Sequence, residues 1–129
     1  MSGGVAAAEA EKATIGACSV SPDAIDEVSA ILSPDHFATP QNGMVFRAIL
    51  ALHEKGKPVD SVTVAKELQR QKTIGEVGLP YLAEVLESMP FAEHARFYAN
   101  IVHEAWQRRE ITYAAMDAAA AAKDEGRTP

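Results

Sequence analysis

The chain has 129 residues, of which 47% are hydrophobic and 23% are charged, and this composition is that of a folded soluble domain rather than a disordered chain. Its net charge of −6 and its pI near 5.1 disfavour contact with nucleic-acid phosphates, unless the basic residues gather in one patch. The single Cys18 excludes an intramolecular disulfide, no apolar run reaches the roughly 18 residues of a membrane span, and no secretory leader pattern is present, so we expect a cytoplasmic protein.

Two helices are predicted before residue 34. Residues 5–17 are mostly Ala, Glu and Lys, which are good helix formers but provide few large side chains for a core. A second, short helix follows, because Ser21 is a favourable N-cap and Pro22 suits the first helical position. Its apolar residues recur at helical spacing and predict one buried face, made of Ile25, Val28, Ile31 and Leu32.

The third predicted helix begins with Thr39 as its N-cap and Pro40 as its first residue, and Gly56 ends it. Apolar residues cover much of its circumference, which is typical of a helix at the centre of a core. They form a stripe of Val45, Ala48, Ile49 and Leu52 that is widened by Phe46 and Leu50.

Two further helices are predicted between residues 58 and 90. Asp60 or Ser61 can cap the first of them after the turn at Pro58. Its apolar side consists of Val62, Ala65 and Leu68, with Val64 beside them and Lys66 and Arg70 facing outward. The second helix is opened by Pro80 and stopped by Pro90. Its apolar anchors are Tyr81, Leu82, Val85 and Leu86.

Residues 93–126 contain no Pro, and no Gly before Gly126, and they predict one long helix. A helix of this length extends beyond a small domain, so its second half either contacts a partner or is an Ala-rich tail that faces solvent. Aromatic and Met residues are enriched at protein interfaces. The residues that we predict to face a partner helix are Tyr98, Val102, Ala105, Trp106, Tyr113 and Met116, of which Tyr98 and Val102 also suit the core of the domain itself.

The chain is therefore predicted to be all-α, with a compact helical bundle followed by a long, protruding C-terminal helix. No alternating apolar pattern bounded by hairpin turns indicates a β-strand, and no internal repeat is present. The predicted core consists of Ile25, Val28, Phe37, Val45, Phe46, Ile49, Leu52, Val62, Leu68, Tyr81, Leu82, Val85 and Ile101.

No pattern in the sequence indicates catalysis, cofactor binding or metal binding. The Gly-Lys pair at 56–57 is followed by Pro and lacks the Ser or Thr of a phosphate-binding loop. His53 and His103 are each followed by Glu, but neither has the second His four residues later that a zinc-protease helix needs. The other candidate ligands have no neighbour at metal-binding spacing: His36, His94 and Cys18. An enzyme whose site is not visible in the sequence stays an alternative, and a pocket with converging polar groups would indicate it.

A helix-turn-helix formed by residues 58–89 is the alternative that leads to another function, an acidic helical DNA-binding regulator. Lys66 and Arg70 would then contact the DNA. The second helix of such a motif needs polar and basic side chains aimed at the bases. Here that helix carries Glu84 and Glu87 and would present carboxylates to phosphate, which argues against DNA as the partner.

The order of several short motifs resembles the N-terminal domain of DnaB-type replicative DNA helicases, from about Glu11 to Arg109. Each motif alone is common, whereas their order and spacing together are specific. They are Glu11, Gly16, "SPDAI" at 21–25, Phe37, Asn42, "VF" at 45–46, "AIL" at 48–50, Leu52, "GKPVDSVTVAKEL" at 56–68, "VG" at 77–78, "YL" at 81–82, Pro90 and "A..YA.IV" at 95–102. The chain departs from the family pattern in its first helix, where Thr14, Cys18 and Ser19 occupy positions that are usually apolar.

The resemblance implies a division into an N-terminal extension at 1–10, a helical head at 11–92, the first helix of a helical hairpin at 93–126 and a tail at 127–129. It also implies a non-catalytic domain that forms dimers and a hexameric collar with copies of itself and docks primase or a helicase loader. ATP and Mg²⁺ would be bound by a separate helicase domain that is not part of this sequence. No direct binding of nucleic acid by this domain is expected.

Overall fold

The computed structural model describes residues 2–88 and 91–127, and the side chains of residues 6–88 and 91–124. These ranges contain helices and no β-strand. The helices are α1 (Ser2–Val20), α2 (Pro22–Ser29), α3 (Pro40–Glu54), α4 (Ser61–Arg70), α5 (Ile74–Val77), α6 (Leu79–Leu86) and α7 (Ala95–Arg127), with 3₁₀ turns at Pro34–His36 and Ala92–His94. The all-α prediction is confirmed.

Helix α1 lies at the centre of the bundle, in contact with α2, α3, α6 and α7. It begins at Ser2, so most of the residues predicted to form an extension, 1–10, belong to this helix. Its buried face is made mainly of small side chains, which let the neighbouring helices approach closely. The buried residues of α1 are Ala7, Ala10, Glu11, Thr14, Ile15, Gly16, Ala17 and Cys18.

Helix α3 contributes five residues to the hydrophobic core, namely Val45, Phe46, Ala48, Ile49 and Leu52. Phe46 is fully buried and its ring centroid lies 5.3 Å from that of Phe37, which precedes the helix. Of the predicted core residues, ten are buried: Ile25, Val28, Phe37, Val45, Phe46, Ile49, Leu52, Leu68, Leu82 and Val85. Tyr81 and Ile101 are partly buried and pack against this core.

The prediction that Val62 lies in the core is wrong, because this side chain is 67% exposed. Val64 and Leu68, one helical turn apart, are fully buried instead. Helix α4 begins at Ser61, so Val62 stands in its first turn, two residues before Val64. Two residues correspond to about 200° of helical rotation, which places Val62 on the opposite side of α4.

Helix α7 has two halves with different surroundings. In the first half Ala95, Ala99 and Val102 are buried against the bundle. Arg109 is the last partly buried residue, and every side chain described after it, through residue 124, is exposed. The second half therefore protrudes from the bundle, as predicted. No helix of the described ranges is both long and apolar enough to cross a membrane.

The burial pattern of α4 can be tested with two Val→Ala variants in the same helix. Val64→Ala should lower the free energy of unfolding by about 2 kcal/mol, because it removes buried methyl groups and leaves a cavity. Val62→Ala should change it by less than about 0.5 kcal/mol. Urea unfolding followed by circular dichroism measures both. Equal losses would contradict the orientation of α4.

Candidate interaction surface

A buried carboxylate connects α1 to the start of α3. The Glu11 side chain is 1% exposed, and its oxygens accept hydrogen bonds from the N–H groups of Ala38 at 2.7 Å and Thr39 at 3.2 Å. They also accept one from the side-chain amide of Asn42 at 2.8 Å, and the Asn42 oxygen in turn accepts one from the Tyr81 hydroxyl at 2.6 Å. The network therefore ties together α1, α3 and α6.

Glu11 anchors the residues that lead into α3, because it accepts from the N–H groups of Ala38 and Thr39. Thr39 occupies the N-cap position of α3, but its own side chain makes no capping hydrogen bond. The negative charge of Glu11 beside the N-terminus of α3 also suits the positive end of the helix dipole. A residue 28 positions earlier in the chain thus satisfies N–H groups at the start of α3.

The 3₁₀ turn at Pro34–His36 is held against both α3 and α7. Gly43 of α3 lies so close to it that a Cβ atom there would stand 2.6 Å from the Pro34 carbonyl oxygen. On the other side the His36 ring packs on Trp106, with centroids 4.3 Å apart, and Arg109 Nη2 donates to the His36 carbonyl at 3.0 Å. This contact marks the point at which α7 leaves the bundle.

The predicted interface residues of α7 fall into two groups. Val102 is buried, and Tyr98 is partly buried with its hydroxyl accepting a hydrogen bond from the Phe91 N–H at 3.3 Å. Ala105 and Trp106 are also partly buried at the end of the packed half. Tyr113 and Met116 are 55% and 62% exposed on the protruding half. Ile111, which was not among the predicted interface residues, is 69% exposed on the same half.

A groove of about 600 Å³ lies beside the packed half of α7. Its floor is mostly alanine with Ile101, and Glu104, Arg108 and Arg109 supply polar atoms. No set of three His, Cys, Asp or Glu residues that could hold a metal ion occurs among the described residues. Cys18 is buried, and burial raises the pKa of its thiol to about 12, so it is not a nucleophile at neutral pH. The groove is lined by charged residues as well as small apolar ones. Its residues are Ala6, Ala7, Ala8, Glu11, Ala38, Thr39, Ile101, Glu104, Ala105, Arg108 and Arg109.

Comparison with known proteins identifies the family. The family model "DnaB-like helicase N terminal domain" matches residues 5–104. This chain belongs to that family. It is 39% identical over 97 residues to the replicative DNA helicase DnaC of Bacillus subtilis, and 40% identical over 96 residues to the replicative DNA helicase DnaB of Mycobacterium leprae. These regions cover 74% of this chain but 21% and 16% of the two relatives.

Solved structures of DnaB N-terminal domains have the same fold. The N-terminal domain of DnaB helicase from Mycobacterium tuberculosis superposes with a TM-score of 0.86 at 34% identity, over 93% of this chain and 86% of that one. The corresponding domain from Helicobacter pylori superposes with a TM-score of 0.79 at 24% identity, over 88% of this chain and 89% of that one. The DnaB-like fold therefore includes the protruding helix as well as the bundle.

The arrangement of α4 and α6 in this DnaB-like domain does not suit a DNA reader. Leu82 and Val85 of α6 are buried, while Glu84 and Glu87 face outward and Glu84 pairs with Lys12 of α1 at 2.6 Å. Arg70, which the alternative needs for phosphate, instead pairs with Glu67 of its own helix at 2.6 Å. The outer surface of α6 therefore presents carboxylates to any approaching phosphate.

Removing the charge of Glu11 tests the network that organises the domain. Glu11→Gln should lower the free energy of unfolding by about 2 to 3 kcal/mol, because the amide nitrogen that replaces one carboxylate oxygen cannot accept a hydrogen bond from a buried N–H. Glu9→Gln, an exposed position in the same helix, is the matched control and should be near neutral. Tyr81→Phe should cost about 1 kcal/mol through loss of its bond to Asn42. Denaturant unfolding measures all three, and a neutral Glu11→Gln would remove the organising role of Glu11.

The pH dependence of stability tests the Glu67 cluster. Glu67 is 5% exposed, and hydrogen bonds from Arg70 first, and then from Gln71, lower the pKa of its carboxyl from 4.5 to about 2, against the opposing effect of burial. A lowered folded-state pKa means that the stabilisation is present above pH 4.5 and is lost as the pH falls towards 2. We expect a loss of about 1 to 2 kcal/mol, limited by solvent screening of the exposed Arg70.

The comparison that isolates this effect uses Glu67→Gln, with Glu54→Gln as an exposed control. The difference in unfolding free energy between the wild type and Glu67→Gln should shrink as the pH falls from 4.5 towards 2. The difference between the wild type and Glu54→Gln should change less. A constant difference for Glu67→Gln would mean that its carboxyl is not stabilised in the ionised form.

Proposed function

We propose that this domain is the non-catalytic, protein-binding part of a replicative DNA helicase. It associates with copies of itself, as a dimer or in a hexameric collar, and it docks primase or a helicase loader during replication. ATP and Mg²⁺ are bound by a separate helicase domain, and this domain makes no direct contact with nucleic acid. The family membership and the small share of the relatives that the chain matches support this division of labour.

The observation that carries the proposal is the protruding half of α7. Ile111, Tyr113 and Met116 expose more than half of their surface, and every side chain described after Arg109, through residue 124, is exposed. Exposed apolar and aromatic side chains on one helix are typical of a surface that a partner covers. The related Helicobacter pylori domain is described together with its interactions with primase, which supports primase as one of the partners.

Charge substitutions on the protruding half test self-association. Tyr113→Asp together with Met116→Asp should weaken self-association by about tenfold or more, because they place carboxylates in an apolar contact. Trp106→Asp is less informative, since Trp106 also packs on His36 within the bundle. Light scattering and sedimentation at micromolar concentration measure the assembly state, and titration with the cognate primase by calorimetry measures docking.

Val62→Asp is the matched control, because Val62 is an equally exposed apolar residue on the bundle. It should leave both measurements unchanged. A wild-type protein that stays monomeric under these conditions would contradict self-association, and primase binding that is unaffected by the double variant would exclude this half of α7 as the docking surface. ATP hydrolysis by the purified chain alone would contradict a non-catalytic domain.

A further inference from the structure

Three aromatic rings and one guanidinium join the 3₁₀ turn at Pro34–His36 to α7. The His36 ring lies 4.3 Å from the Trp106 ring and 5.3 Å from the His103 ring, measured between centroids, and His103 lies 5.5 Å from Trp106. Arg109 donates from Nη2 to the His36 carbonyl.

The hydrogen bonding of the cluster requires a neutral His36 ring. The Ser33 N–H donates to His36 Nδ1 at 3.0 Å, so this nitrogen carries no proton. A protonated imidazole has hydrogen on both nitrogens and cannot accept that bond. Protonation would also place a positive charge beside His103 and Arg109. The pKa of His36 is accordingly lowered from 6.5, first by burial and then by His103 and Arg109, while Asp35 acts in the opposite direction.

The groups that face His36 come from two elements. Asp35 belongs to its own turn, and His103, Trp106 and Arg109 belong to α7. On the third side α3 approaches the turn through Gly43, which carries no charge. The charged neighbours that influence the protonation of His36 are therefore one carboxylate, Asp35 in the same turn, and two basic side chains, His103 and Arg109 in α7.

We propose that the contact between His36 and Trp106 is a pH-sensitive latch, which holds the root of α7 on the bundle and loosens when His36 takes up a proton. The contact lies at the last packed turn of α7, because Arg109 donates to the His36 carbonyl and every side chain described beyond Arg109 is exposed. A change at this contact therefore affects how the protruding half is held. When this contact loosens, the angle between the protruding half of α7 and the bundle can change. The latch does not depend on the proposed function, since it lies within one chain.

The indole of Trp106 opposes this change, because the face of an aromatic ring attracts a cation. If that attraction dominated, acidification would tighten the contact. We expect this attraction to be weaker than the combined effect of losing the Ser33 hydrogen bond and of repulsion from His103 and Arg109. The two outcomes move the exposure of Trp106 in opposite directions, so one measurement separates them.

Trp106 is the only tryptophan of the chain, so its fluorescence reports on the latch alone. In dilute protein, we expect the acrylamide quenching constant to rise by about twofold between about pH 7.5 and about pH 5, with a midpoint below 6.5, the ordinary pKa of histidine. His36→Gln keeps an acceptor for the Ser33 N–H but does not titrate, and it should remove the change. His94→Gln, an exposed histidine near the start of α7, is the control and should keep it.

A second variant keeps the test decisive if His36→Gln does not fold by circular dichroism. His103→Gln removes a basic neighbour and should shift the midpoint to higher pH. The hydrogen-exchange protection factors of the α7 amides around Trp106, which correct for the pH dependence of intrinsic exchange, should fall on acidification over the same pH range in the wild type. A quenching constant that is constant or falls on acidification, or a rise that persists in His36→Gln, would overturn the latch.

Discussion

The buried charge of Glu11 is the constraint around which the bundle is arranged. A carboxylate taken out of water costs several kcal/mol unless every oxygen finds donors. Glu11 finds three, from Ala38, Thr39 and Asn42. A shift of α1 along α3 by even one residue would leave the charge without these partners, so the network selects one register among the many that Ala-rich surfaces permit. The hydrogen bond from the Tyr81 hydroxyl to Asn42 extends this network to α6 and helps to fix the position of that helix.

The central place of α1 follows from its small side chains together with that charge. Thr14 is fully buried, but its hydroxyl donates to the Ala10 carbonyl at 2.7 Å within the helix, so no polar group is left unpaired by it. Cys18 behaves there as a small hydrophobic residue. Both residues are accommodated in the interior because neither needs a partner from another helix.

The sequence predicted six of the seven α-helices in the described ranges, all but the one-turn α5, and most of the core, because prolines at the first helical position such as Pro22 and Pro40 and the apolar stripe of α3 are local signals. It did not predict the importance of α1, since alanine provides no pattern of large side chains. It also placed Val62 inside, because two overlapping stripes fit α4 and only the neighbouring helices decide between them. The cluster of His36 with Trp106 joins residues 70 positions apart, and no local spacing could indicate it. The interface on α7 stays a prediction, resting on exposure in the structure.

The composition of α7 changes where its surroundings change. Up to Arg109 the helix is stabilised by packing, and its large apolar residues other than the exposed Phe97 are at least partly buried against the bundle. Beyond that point every side chain described, through residue 124, is exposed, and an isolated helix of this length is marginal in water unless its residues favour the helical state. The run of alanines from Ala118 to Ala122 has the highest intrinsic propensity available. It also presents a flat surface that another helix could approach closely. The same residues can therefore keep the protruding half ordered when it is alone and leave room for a partner, whereas Ile111, Tyr113 and Met116 supply the exposed apolar area on which the proposed association rests.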